Sequence, residues 1–192
     1  MVNIELNGKE YKMATSWEDV TLKKYQVLVE LFLEEEINQL EKTIRTFSIL
    51  SDISYEDLME VDMDDFNKIN LNFLLEEIPQ KVENIIEIEG KKYGVVKDIK
   101  KISLGEYVDL DNYSKSSSNF HFILGILMRP VVDSDGELYT IEKYDSNNLE
   151  ERSILFKENI NVSQYYSLVG FFFNFGNSFL ENLSHYLNQK NI

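Results

Sequence analysis

Chemistry in this chain has to come from carboxylates, hydroxyls or its 2 histidines, because the sequence has no cysteine. His121 and His185 lie far apart, and neither has a second ligand at a metal-binding spacing such as His-x-x-x-His. His121 falls in an apolar run, where a hydrogen-bonded core or boundary role is expected. Asp133-x-Asp135-Gly136 matches the opening of a calcium loop, but an EF-hand needs Glu at its twelfth position, and Tyr144 stands there. An ordinary turn is the expectation. Asp62, Asp64 and Asp65 are acids at a helix start, favoured by the helix dipole alone. Glu34-Glu35-Glu36 reads as a solvated corner. Glycine-rich phosphate loops, nucleophile elbows and dinucleotide fingerprints are absent from the sequence. The expectation is a non-enzymatic protein with no cofactor and no metal, and an unrecognised hydrolase or transferase is the reading it displaces.

The elements that would position these groups carry a stronger signal. Ile4-Glu5-Leu6-Asn7-Gly8-Lys9-Glu10-Tyr11 aligns with Ile86-Glu87-Ile88-Glu89-Gly90-Lys91-Lys92-Tyr93, identical at 5 of 8 positions. The offset of 82 residues persists without a gap, placing Thr21-Leu22 on Ser103-Leu104, Tyr25 on Tyr107 and Leu28 on Leu110. Alternating apolar residues around Asn7-Gly8 and Glu89-Gly90 predict tight hairpins. Thr21 and Ser103 stand at helix N-cap positions. Leu22, Tyr25 and Leu28 then share one side of a helix, as do Leu104, Tyr107 and Leu110. The prediction is an α+β chain, mostly helical, with two related β-hairpins each followed by helices: an internal duplication of residues 2–28 in 84–110. Pro79 sets the boundary between units 1–80 and 82–192.

Between the copies, helices are expected over Leu22 to Glu36, around Leu40, Ile44, Phe47 and Leu50, from Ser54, and over Asp62 to Glu77. Later, Phe120 to Val132 reads as an apolar helix stopped by Pro130. Asp133 to Gly136 reads as the tip of a short hairpin. Residues 147–159 and 163–189 read as two helices, the last rich in aromatics, with a buried core position favoured for it over an exposed one.

Net charge is −15, from 34 acidic and 19 basic residues. Residues 1–81 hold 18 acids and 8 bases, and residues 82–192 hold 16 and 11. Direct nucleic-acid binding needs phosphate neutralisation, which this balance opposes. The one basic group (Lys91, Lys92, Lys97, Lys100, Lys101) is flanked by acids. No stretch reaches the roughly 20 apolar residues of a membrane span, and MVNIELNGKE has no secretory character. A soluble, intracellularly made protein is expected.

The segments Trp17-Glu18-Asp19-Val20-Thr21-Leu22-Lys23-Lys24-Tyr25, Ile102-Ser103-Leu104-Gly105-Glu106-Tyr107-Val108-Asp109-Leu110 and Ile126-Leu127-Met128-Arg129-Pro130 resemble small uncharacterised proteins of tailed-bacteriophage morphogenesis clusters, including crAss-like phages. The resemblance implies a structural or assembly protein of the neck or tail region, located in the virion or in the host cytoplasm during assembly. Its expected partners are other phage structural proteins, in homo- or hetero-oligomers. Two alternatives stand beside it: a tail-assembly chaperone not retained in the virion, and an acidic DNA mimic that inhibits a nucleic-acid-binding protein. Candidate partner-binding residues are Trp17, Tyr25, Tyr107, Arg129, Phe171, Phe172 and Phe175. For Trp17, Tyr25 and Tyr107 a packing role is the simpler reading. For Arg129 beside Pro130, a helix-end cation is favoured over an interface contact.

Overall fold

The computed structural model describes residues 1–79, 83–135 and 138–169, and these form an α+β fold with antiparallel sheets. Strands β1 (Val2–Leu6) and β2 (Lys9–Met13) pair antiparallel, with Leu6 opposite Lys9. The intervening Asn7 and Gly8 have φ of 48° and 71°, as a two-residue hairpin turn that follows the strand twist requires. β3 (Ile85–Ile88) and β4 (Lys91–Val95) repeat this geometry around Glu89 and Gly90, at φ 51° and 76°. The first hairpin stays a two-stranded sheet, and its Leu6 and Met13 pack on Phe47, Ile53 and Leu58.

The second hairpin enters a four-stranded sheet, β3-β4-β5-β6, with β5 at Met128–Asp135 and β6 at Leu138–Ile141. The single apolar helix expected from Phe120 to Val132 is therefore two elements. The helix stops at Leu127, and Pro130 sits within β5 opposite Tyr93. Proline biases its preceding residue towards extended backbone, and a register shift between Val131 and Asp133 absorbs the lost regularity. Asp133 and Asp135 are paired strand residues rather than loop ligands. Among the described residues no group of three or more His, Asp or Glu could hold a metal ion.

Helix α1 (Leu22–Leu33) starts at Thr21, whose hydroxyl accepts from Lys24 N. It ends three residues before Glu36. α2 (Gln39–Leu50) is capped by Asn38, and α3 (Tyr55–Met59) by Ser54. The helix expected over Asp62 to Glu77 is broken into α4 (Met63–Phe66) and a 3-10 turn, Asn72–Leu75. Asn70 Oδ1 takes the Asn72 N–H at 2.8 Å, so an asparagine side chain replaces helical backbone bonding at the break. The break lets Phe73 turn edge-on to Trp17, with ring centroids 5.5 Å apart. α5 (Leu104–Tyr113), α6 (Phe120–Leu127) and α7 (Leu149–Asn159) follow, and residues 162–169 are helical. Among the described residues no helix is long and apolar enough to cross a membrane.

Three apolar clusters form the core, and two of them mix the units expected at 1–80 and 82–192. Leu22 packs with Phe156 and Tyr165, and Val162 packs with Trp17 and Leu28. A backbone clasp holds this together: Leu22 N donates to Ile160 O at 2.7 Å, and Val162 N to Val20 O at 2.9 Å.

α6 and α7 approach closely because Gly125 has no side chain. A Cβ there would lie 2.2 Å from Ser153 Oγ and 2.9 Å from Leu149 Cδ1. Gly125→Ala should lower stability by about 1–3 kcal/mol in urea unfolding. Gly105→Ala, with only Ser103 Oγ at 3.9 Å, should raise it by about 0.5 kcal/mol.

Candidate interaction groove

The 3.6-residue period places Tyr25, Leu28, Val29 and Phe32 along one face of α1. This face forms one wall of a groove of about 620 Å³. Gln39, Thr43 and Thr46 from α2 line it as well, and Leu71, Leu74 and Leu75 around the 3-10 turn close the other side. Trp17 sits at its base, its indole Nε1 donating to Glu76 O at 3.2 Å, which ties the 3-10 turn to the start of α1. Tyr25 meets Trp17 edge-on at 6.0 Å, and its hydroxyl lies 2.5 Å from that of Tyr166. Burial and this contact push the Tyr25 hydroxyl well above the ordinary phenol range, so it stays protonated.

Among the described residues no charged side chain lines the groove. Phe32 is 51% exposed, Leu33 70% and Leu75 89%. Its walls end in acids: Leu33 is followed by Glu34-Glu35-Glu36, and Leu75 by Glu76-Glu77, all exposed. Thr46 is 3% exposed, and its hydroxyl has no hydrogen-bond partner among the described residues. Nothing in this arrangement supplies a nucleophile, base or metal ligand set. What it can do is bury apolar surface.

The structure brings together Trp17 and Tyr25 from the expected partner-binding set and places the others elsewhere. Tyr107 lies on α5, 43% exposed, beside exposed Leu104 and Val108. On α1 the counterpart of exposed Leu104, Leu22, is fully buried. Phe171, Phe172 and Phe175 lie outside the described residues. Arg129 is not a helix-end cation. It lies in β5, buried, with Nη2 3.0 Å from Glu106 Oε1 in an ion pair that lacks hydrogen-bond alignment. Burial pulls the Arg129 guanidinium down, and the Glu106 carboxylate opposes the shift. Glu106 Oε2 also accepts from Ser103 N at 2.6 Å, completing a capping box. Ser103-x-x-Glu106 was a legible signal for that cap. Nearby, Arg152 Nε donates to Gly125 O at 2.7 Å, and Tyr144 donates to Asp109 at 2.5 Å. This cluster fastens α5 and β5 and opens into no described cavity. Phe32, Leu33, Thr46 and Leu75 were missed by the sequence reading, although each apolar pair ending at 33 and 75 directly precedes an acidic run.

No family model, curated protein or solved structure matches the chain.

Two predictions follow from the buried polar groups. Arg129→Met strands the Glu106 carboxylate and should cost about 3–5 kcal/mol in urea unfolding, most of it regained when Glu106→Leu is added. His121 is buried, with Nδ1 3.3 Å from Gln26 Nε2, and burial pulls its imidazole from 6.5 down to about 4, with Lys157 adding to the shift. The unfolded chain therefore binds a proton that the folded chain refuses between these values. The stability contribution is fully present above pH 6.5 and is lost as pH falls towards 4. Urea midpoints measured from pH 4 to 7 should fall less steeply for His121→Gln.

Proposed function

We propose that this chain works by protein–protein association, as a non-enzymatic structural or assembly protein of the neck or tail region of a tailed-phage virion. The observation that carries the association reading is the uncharged groove beside Trp17, whose walls leave Phe32, Leu33 and Leu75 open to solvent. Apolar patches of this kind mark interaction sites on otherwise polar surfaces. The phage assignment rests on the sequence resemblance, and it implies phage structural proteins as partners, in homo- or hetero-oligomers, within the virion or the host cytoplasm during assembly. The same exposed apolar groove also favours a second reading, a tail-assembly chaperone that releases its client and stays out of the particle. In either role, the segments 2–28 and 84–110 are two copies of one hairpin–helix unit. Equal turn geometry at Asn7-Gly8 and Glu89-Gly90 and equivalent caps at Thr21 and Ser103 support this.

Mass measurement on the purified chain, with detection in intact particles, tests the proposal. Self-association or presence in particles supports the virion component. A strict monomer absent from particles counts against the virion component and leaves the chaperone standing. Phe32→Asp and Leu75→Asp should each abolish particle assembly or partner association, with stability lowered by about 1 kcal/mol for half-buried Phe32 and by no more than about 0.5 kcal/mol for exposed Leu75. Normal assembly with both variants would overturn the role of the groove.

A further inference from the structure

We propose that the groove receives an amphipathic helix of a partner protein, its apolar face in the groove and flanked by basic side chains. This rests on the reading of the groove as a protein-binding site and names what that site selects.

The secondary structure of the walls sets the form of the occupant. A segment that docks by strand addition needs a free strand edge for its backbone N–H and C=O groups. The groove offers α1, α2 and a 3-10 turn, whose backbone groups bond within their own elements. These walls offer no edge for strand addition, whereas a helix closes its own backbone hydrogen bonds and needs only the apolar surface. The composition of the walls sets the occupant's inner face. Tyr25, Leu28, Val29 and Phe32 form an unbroken apolar ridge, which complements leucine-like side chains recurring every three or four residues. Gln39, Thr43 and Asn72 add polar points along the lining that can fix the register of the inserted helix.

The rim sets the charge. Glu34, Glu35 and Glu36 stand where the α1 wall ends, and Glu76 and Glu77 where the 3-10 wall ends. Among the described residues beside the groove, Arg45 is neutralised by Glu41 at 2.6 Å, while Lys42 donates to Phe32 O at 3.2 Å and keeps its charge, so the five rim carboxylates outnumber it. An apolar helix with acidic flanks would meet like charge on approach, whereas one with basic flanks is attracted and oriented. The net charge of −15 acts in the same direction at longer range.

Trp17 is the chain's one tryptophan and lies in the groove, so its emission reports directly on occupancy. The probe is a tryptophan-free synthetic helix of roughly five turns, with leucine at i, i+3, i+4 and i+7 and lysine on both flanks. Its twin carries glutamate in place of lysine. On the full chain at low salt, the lysine peptide should shift Trp17 emission saturably and bind at least about tenfold more tightly than the twin. The gap should close at high salt. Phe32→Asp should abolish the response although it adds negative charge, and Leu75→Asp should do the same; circular dichroism confirms that each variant is folded. Equal binding of the two peptides, still lost in Phe32→Asp, would overturn the basic partner and leave the groove as a docking site. No Trp17 response to either peptide, or a response unchanged by both variants, would overturn the groove reading as well. Because the chain has no cysteine, Leu75→Cys combined with Phe175→Cys gives one more decisive result. Efficient intramolecular disulfide formation would show the groove filled by the chain itself and overturn the partner.

Discussion

The structure turns on a short backbone clasp, where Val20 and Leu22 exchange hydrogen bonds with Ile160 and Val162. Two bonds of this kind contribute only about 0.5–1.5 kcal/mol each. Their consequence is larger, because they fix the rotation of α1. The second half of the chain covers Leu22 and Gln26 at the start of α1, and the same stripe two to three turns later, at Val29 and Leu33 with Phe32 beside them, runs on past what covers it. The groove is the remainder of that choice: an amphipathic helix whose apolar stripe is wider than the surface available to cover it.

The comparison between α1 and α5 shows how the same local pattern acquires different uses. Both helices begin with a hydroxyl cap followed by Leu-x-x-Tyr. α1 buries its Leu22 and half-buries Tyr25. α5 instead turns Glu106 inward, where Arg129 holds it, and leaves Leu104, Tyr107 and Val108 outward. An isolated carboxylate would not tolerate that position. The arginine from β5 makes it possible, and the capping-box bond to Ser103 N satisfies the second oxygen. A buried ion pair of this type is weak as a source of stability but costly to break, so it specifies how α5 sits on the sheet.

Charge and apolar surface are also segregated around the groove. The lining is uncharged, while carboxylates gather where its walls stop. Apolar burial supplies affinity in such a site, and the rim governs which partners approach.

The sequence by itself determined the features that depend on a few adjacent residues. Asn7-Gly8 and Glu89-Gly90 set the two turns, because the backbone there needs positive φ. Thr21, Ser54 and Ser103 set helix starts, because a nearby hydroxyl satisfies unpaired N–H groups. The apolar alternation set which strand faces are buried. Only the tertiary structure decided the rest, because those outcomes depend on neighbours distant in the chain. The helix expected over Asp62 to Glu77 is broken at Asn70, where Phe73 turns onto distant Trp17, and β4 drew Met128 to Pro130 into a sheet. Arg129 went inside because Glu106 was there to meet it. Trp17 and Tyr25 were visible as packing anchors, yet their groove needed Leu74 and Leu75 from some fifty residues away. Periodicity along a helix names its apolar face; it does not say what, if anything, will cover it.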